Sequence, residues 1–99
     1  MIVVLSDNAE AELESIGDWI ARDAPMAAVT FIRELREACD RIGDMPRAFP
    51  LLPRHRKSGI RRKVYGDYLI FYVIGEQVDV LHVIHGARDY EQILFPPKV

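Results

Sequence analysis

Only one cysteine, Cys39, occurs in the 99 residues, so no disulfide can form within the chain. It stands between Ala38 and Asp40 in a helix-like stretch and reads as a small, partly buried helix residue rather than a reactive thiol. Long apolar runs are also missing: none approaches the roughly 20 residues that cross a bilayer. Met1-Ile-Val-Val-Leu5 has no cationic start and meets Asp7 at once, unlike a signal peptide. The chain is therefore read as cytoplasmic, with no membrane partner. No glycine-rich loop is present to cradle a phosphate, and Gly86 is a solitary turn residue. The most local absence is of acid. From Met45 to Gly66 there is no Asp or Glu, while Arg47, Arg54, Arg56, Lys57, Arg61, Arg62 and Lys63 supply seven cations.

What is present is enough for a packed core, because 49% of the residues are apolar and the length suits one domain, residues 1–99. The net charge of −2 conceals an alternation. Residues 1–44 carry ten acids and four bases, 45–66 seven bases alone, and 67–99 five acids and two bases. Such a surface is dipolar, whereas general nucleic-acid binders are usually basic throughout.

Hydrophobic spacing predicts the elements. Ile2 to Leu5 reads as a buried strand. Asp7 with Glu10 resembles a capping box. Ala9, Leu13, Ile16 and Ile20 then form one apolar helix face, with Glu10, Glu12, Glu14 and Asp18 mostly off it and Trp19 at its flank. Pro25 starts a second helix whose stripe is Ala28, Phe31, Ile32, Leu35, Ala38, Cys39 and Ile42, with Gly43 as the expected C-cap. So short a link makes the two helices an antiparallel hairpin. Residues 44–57 are a proline-broken loop pinned by Phe49, Leu51 and Leu52. Strands follow at 60–65, 68–74 and 78–85, and 89–94 add a helical turn. The fold class is α+β, ordered β-α-α-β-β-β: an N-terminal strand and an antiparallel helix hairpin packed on a small antiparallel sheet, with a short C-terminal helical turn.

Few residues offer chemistry. His82 and His85, three apart on a strand, point to opposite faces and do not share a metal easily; His55 lies in the loop. Neither a metal nor another cofactor is implied. Ser6, Ser15 and Ser58 lack an evident base beside them. The cationic segment is the better signal, since seven cations without an interspersed acid repel one another unless an anionic partner, nucleic acid or an acidic protein segment, meets them. Arg88 and Tyr90, just past the last strand, add a group able to grip a phosphate or carboxylate bidentately and one able to stack or hydrogen-bond.

The sequence Phe49-Pro-Leu-Leu-Pro53, then Gly59-Ile-Arg-Arg62, Tyr68-Leu-Ile-Phe-Tyr72 and His82-Val-Ile-His-Gly-Ala-Arg-Asp89, resembles the ParE branch of the RelE/ParE toxin superfamily over essentially the whole chain. The resemblance implies a growth-inhibiting toxin neutralised by a small ParD-like antitoxin. ParE-like members are associated with poisoning DNA gyrase, and RelE-like members cut messenger RNA on the ribosome. The nuclease branch uses an arginine just after the position of Tyr68, an arginine after the last strand, and a tyrosine near the C-terminus. Arg88 matches the second; Leu69 and Phe95 occupy the other two positions and can neither bind phosphate nor exchange a proton. The chain is therefore expected to be a non-nuclease toxin that does not bind nucleic acid without a partner. Its target- or antitoxin-contacting residues are Arg54, Arg56, Lys57, Arg61, Arg62, Arg88 and Tyr90. The alternatives are a ribonuclease using Arg62, His85, Arg88 and Tyr90, or a non-toxic member that only binds its antitoxin.

Overall fold

The computed structural model describes Met1 to Lys98. Its elements are β1 (Val3–Leu5), α1 (Asp7–Ala21), α2 (Pro25–Asp40), β2 (Arg61–Tyr65), β3 (Tyr68–Ile74), β4 (Val78–His85) and α3 (Tyr90–Leu94), with 3-10 turns at Arg41–Asp44 and Arg56–Ser58. The expected order and the three later strands are observed. The four-stranded sheet runs β1-β4-β3-β2. The last three strands form an antiparallel meander, and β1 joins beside β4 in parallel, which makes the sheet mixed. A parallel strand requires a crossover, and the helix hairpin provides it while covering one face.

Three local readings are corrected. β1 is an edge strand with Ile2 and Val4 exposed, not a buried one. Ser6, not Asp7, caps α1: its hydroxyl accepts from the Ala9 N–H at 3.0 Å, and the helix already includes Asp7. Gly43 is no left-handed cap either. It sits in the 3-10 turn after α2, buried, where a Cβ would strike the Met1 carbonyl and crowd Val3. Glycine is needed there for close backbone approach rather than for its own torsions. Left-handed glycines occur instead at Gly59 and Gly66, in the turns before and after β2.

The sheet is buried on both sides. Beneath the helices, Leu13 and Leu35 meet Ile70, Tyr72, Val78, Val80 and Val83. On the outer face a second cluster joins Leu52, Ile60, Leu69, Phe71 and Ile84, covered by the 52–60 segment of the loop and by α3. The loop docks as an incipient strand, with Leu51 bridging Arg61 and hydrogen bonds from Leu52 N–H to Ile60 and from Arg62 N–H to Pro50. A bulge between Val80 and His82 leaves Leu81 without a partner on β3. That extra residue explains why the apolar run of β4 does not alternate simply.

Strand alternation divides the cations of β2. Arg61 and Lys63 lie opposite Tyr72 and Ile70 of the helix-side core, whereas Arg62 lies opposite Phe71 of the outer one.

Candidate functional site

The outer-face cover brings together the middle of the chain and its end. Arg62 donates to the Tyr90 hydroxyl at 3.2 Å, and the Tyr90 ring tilts against buried Phe71 with centroids 5.1 Å apart. His55 stacks on Phe95 at 3.9 Å, close to parallel. Its Nε2 is buried without a hydrogen-bond partner among the described residues, 3.8 Å from a Glu91 carboxylate oxygen. Leu52, Pro53, Arg54, His55, Arg62, Tyr90 and Glu91 line a recess of about 230 Å³. Ser58 holds the turn: its hydroxyl donates to the His55 carbonyl at 2.6 Å and accepts from the Ile60 N–H at 3.1 Å. Arg54, Arg56 and Lys57 are thereby left exposed on a tightly bonded loop.

Not every cation of the run is free. Arg61 donates to the carbonyls of Phe49 and Arg47 at 2.7 and 3.3 Å, clamping the loop to the sheet. Lys63 donates at 2.7 Å to the Ala38 carbonyl near the end of α2, where the helix dipole favours a cation, and lies over the Phe49 ring. Burial pushes its pKa below the ordinary lysine value.

His85 and Arg88 lie elsewhere. The His85 ring meets Tyr68 edge-on at 5.2 Å, and its Nδ1 accepts the Ala87 N–H at 3.0 Å. That bond requires an unprotonated Nδ1, so the neutral ring carries its proton on Nε2. Arg88 is exposed, with no side-chain hydrogen bond among the described residues. With Tyr68, Glu12, Trp19 and other residues of α1, the two line a second cleft of about 680 Å³. The four residues of the nuclease alternative are thus divided, with Arg62 and Tyr90 in one recess and His85 and Arg88 in the other. Leu69 is buried in the outer core, and Phe95 packs against that core and carries the stacked His55. Both positions are occupied structurally.

Two contributions escape a reading of the sequence. Glu12, placed by periodicity among solvent-facing acids, accepts from the Val83 N–H at 2.9 Å and lies 2.8 Å from His82 Nδ1. It closes the side of β4 that short β1 leaves open. Its only signal is a carboxylate one turn from the sheet side of α1, which resembles any surface glutamate. The second is a groove of about 1040 Å³ between α1 and α2, floored by Leu13, Gly17, Ala28 and Ile32. Acids of α1 line one lip, Arg33 and Arg36 the other. Gly17 permits the close approach, since a Cβ there would sit 3.2 Å from Ile32. Cys39 is wholly buried, and burial raises its thiol to about 11, so it is inert. Among the described residues, no three His, Cys, Asp or Glu side chains gather to hold a metal, and no helix is long and apolar enough to cross a membrane.

A helix hairpin over a four-stranded mixed sheet, with exposed cations on one loop, defines a small α+β module. Residues 3–90 match the model of the ParE toxin of the type II toxin-antitoxin system, parDE. The chain belongs to this ParE toxin family. It is 32% identical over 84 residues to the protein Y4kP of Sinorhizobium fredii, covering 83% of this chain and 84% of that one. It is 27% identical over 86 residues to toxin ParE1 of Caulobacter vibrioides, covering 86% and 88%. The fold matches a structure of the chromosomal ParDE TA system from P. aeruginosa with a TM-score of 0.75 at 16% identity, over 86% of this chain and 95% of that one.

Proposed function

We infer that this ParE toxin inhibits growth by poisoning DNA gyrase and is neutralised by binding a cognate antitoxin. The observation that carries the reading is the dispersal of the groups a metal-free ribonuclease would need. Such an enzyme must surround one phosphate with cations and a proton-transferring group. Here Arg62 is tied to Tyr90, His85 and Arg88 line a different cleft, and Leu69 and Phe95 fill core positions. A protein that acts by docking has no such requirement. Arg54, Arg56, Lys57 and Arg88, exposed in this structure, supply contacts for an acidic surface.

The P. aeruginosa relative is part of a chromosomal ParDE TA system, and an antitoxin partner fits this chain as well. The groove between α1 and α2 has an apolar floor and lips of opposite sign, which suits an amphipathic helix. An acidic extension of that helix reaching the 54–57 loop would relieve the repulsion among its cations.

The test is a cleavage assay with purified gyrase and supercoiled plasmid. Accumulation of gyrase-cleaved DNA, reversed by the antitoxin encoded beside this gene, is the expected result. No effect at saturating toxin would exclude gyrase. Expression in cells separates the alternatives, because gyrase poisoning gives a DNA-damage response and filamentation, a ribonuclease gives rapid translation arrest with cut messages, and a non-toxic member gives normal growth.

A further inference from the structure

The two edges of the sheet are protected to very different degrees. Along β2, the loop bridge at Leu51, the Arg61 clamp and the cations of the strand itself all discourage pairing. At β1 there is no such device among the described residues. Met1 to Ser6 contain no ionisable side chain and no proline. Ile2 is 73% and Val4 40% exposed, on the face opposite the one where Val3 and Leu5 pack under the helices.

The hydrogen bonds give this edge a definite register. Val78 N–H donates to the Ile2 carbonyl, and Ser6 N–H donates to the Val80 carbonyl. Bonding alternates along a parallel ladder, so Ile2, Val4 and Ser6 turn their backbone groups toward β4. Val3 and Leu5 then turn theirs outward, each presenting one N–H and one carbonyl at the end of the sheet.

We propose that β1 pairs with β1 of a second copy of this chain, antiparallel, about a two-fold axis through Val4. In that register Val3 of each copy faces Leu5 of the other, and their outward N–H and carbonyl groups make four hydrogen bonds. Val4 meets Val4 as a non-hydrogen-bonded pair, with Cα atoms about 4.5 Å apart. Ile2 flanks it on the diagonal, so the exposed apolar side chains cover one another. The two sheets become one of eight strands. Charge selects this occupant. The side chain in register with Val4 on β4 is Asp79, and Asp7 follows the strand, so an acidic peptide or nucleic acid would be repelled. An uncharged apolar strand is accepted, and β1 itself is one. An interface of three residues per strand is weak, which makes the dimer dependent on concentration.

Light scattering on the purified chain, from about 1 to 200 µM, should show monomer passing to dimer by mass action. Val4→Lys sets like charges against each other on the axis and should hold the protein monomeric at every concentration, with its circular dichroism unchanged. Val4→Cys gives an independent reading, because the Cα spacing of such a pair lies within disulfide reach and native Cys39 is buried. With oxidised glutathione, Val4→Cys should cross-link at least tenfold faster than Val64→Cys, which is exposed on the opposite edge. A chain that stays monomeric throughout, or equal cross-linking at both positions, overturns the proposal. So does a monomeric chain in which Val4→Lys abolishes antitoxin capture, since the edge then belongs to the antitoxin.

Discussion

On one face of the sheet, two helices of 15 and 16 residues close over eleven buried residues; on the other, a proline-broken loop and a five-residue helix close over five. The first cover comes from two continuous stripes and would form wherever those stripes met an apolar sheet. The second depends on particular side chains, namely His55 on Phe95 and Arg62 on Tyr90. Three exposed cations, Arg54, Arg56 and Lys57, ride on the second cover. Segments with little buried area open at low free energy, and binding surfaces are commonly drawn from them. The difference therefore separates the part of the molecule that fixes the fold from the part that opens most easily.

The largest effect expected is on the helix side. Leu35→Ala removes a fully buried side chain from between two helices and the sheet and should cost about 3 kcal/mol. The same truncation at Leu52, whose surroundings include a loop able to collapse inward, should cost about 2 kcal/mol or less. Denaturant melts of the two variants check the order. Equal losses would mean that the two covers are one cooperative unit.

Phe95→Ala tests the outer cover directly. It removes the platform under His55, and the lost stacking and burial should cost about 1–2 kcal/mol. The effect should be local. In hydrogen exchange, amides of residues 52–60 and 90–95 should lose protection while those of β4 keep theirs. A uniform loss along the chain would refute the division between the faces. Tyr90→Phe is milder, because the ring stays against Phe71 and only the bond from Arg62 is lost. A cost near 1 kcal/mol is expected, read as a small shift in the melting midpoint.

The same division explains what could be read from the sequence. Both helix stripes, the three later strands and the terminal helical turn follow from short-range periodicity, and the structure contains all of them. Residues such as Leu35 and Val83 announce themselves because each repeats a pattern its neighbours share. The outer cover has no period. Nothing in the sequence says that His55 reaches Phe95, 40 residues on, or that Arg61 turns to the loop while Arg62 turns to Tyr90. Strand alternation does put adjacent arginines on opposite faces, so the cationic run could have been divided before the contacts were known. Glu12 is the harder case. Its role depends on β1 ending where β4 still has backbone to satisfy, which is a property of the topology.

The smallest effect belongs to the brace outside the hairpin. Arg36 grips the Glu10 carboxylate with two hydrogen bonds of 2.9 and 2.7 Å, and this contact lowers the Glu10 pKa. A carboxylate with a lowered folded-state pKa adds stability that is complete above the ordinary glutamate value. That stability is lost as the pH falls through the lowered one. Both side chains are nearly half exposed, however, and solvent screening reduces such pairs to about 0.5 kcal/mol. Glu10→Gln should therefore change the melting midpoint only slightly at neutral pH, and not at all once the pH is low enough to protonate Glu10 in the parent. Added salt should shrink the neutral difference further. A loss as large as that from Phe95→Ala would mean that the hairpin, like the outer cover, relies on a particular side-chain contact rather than on its core.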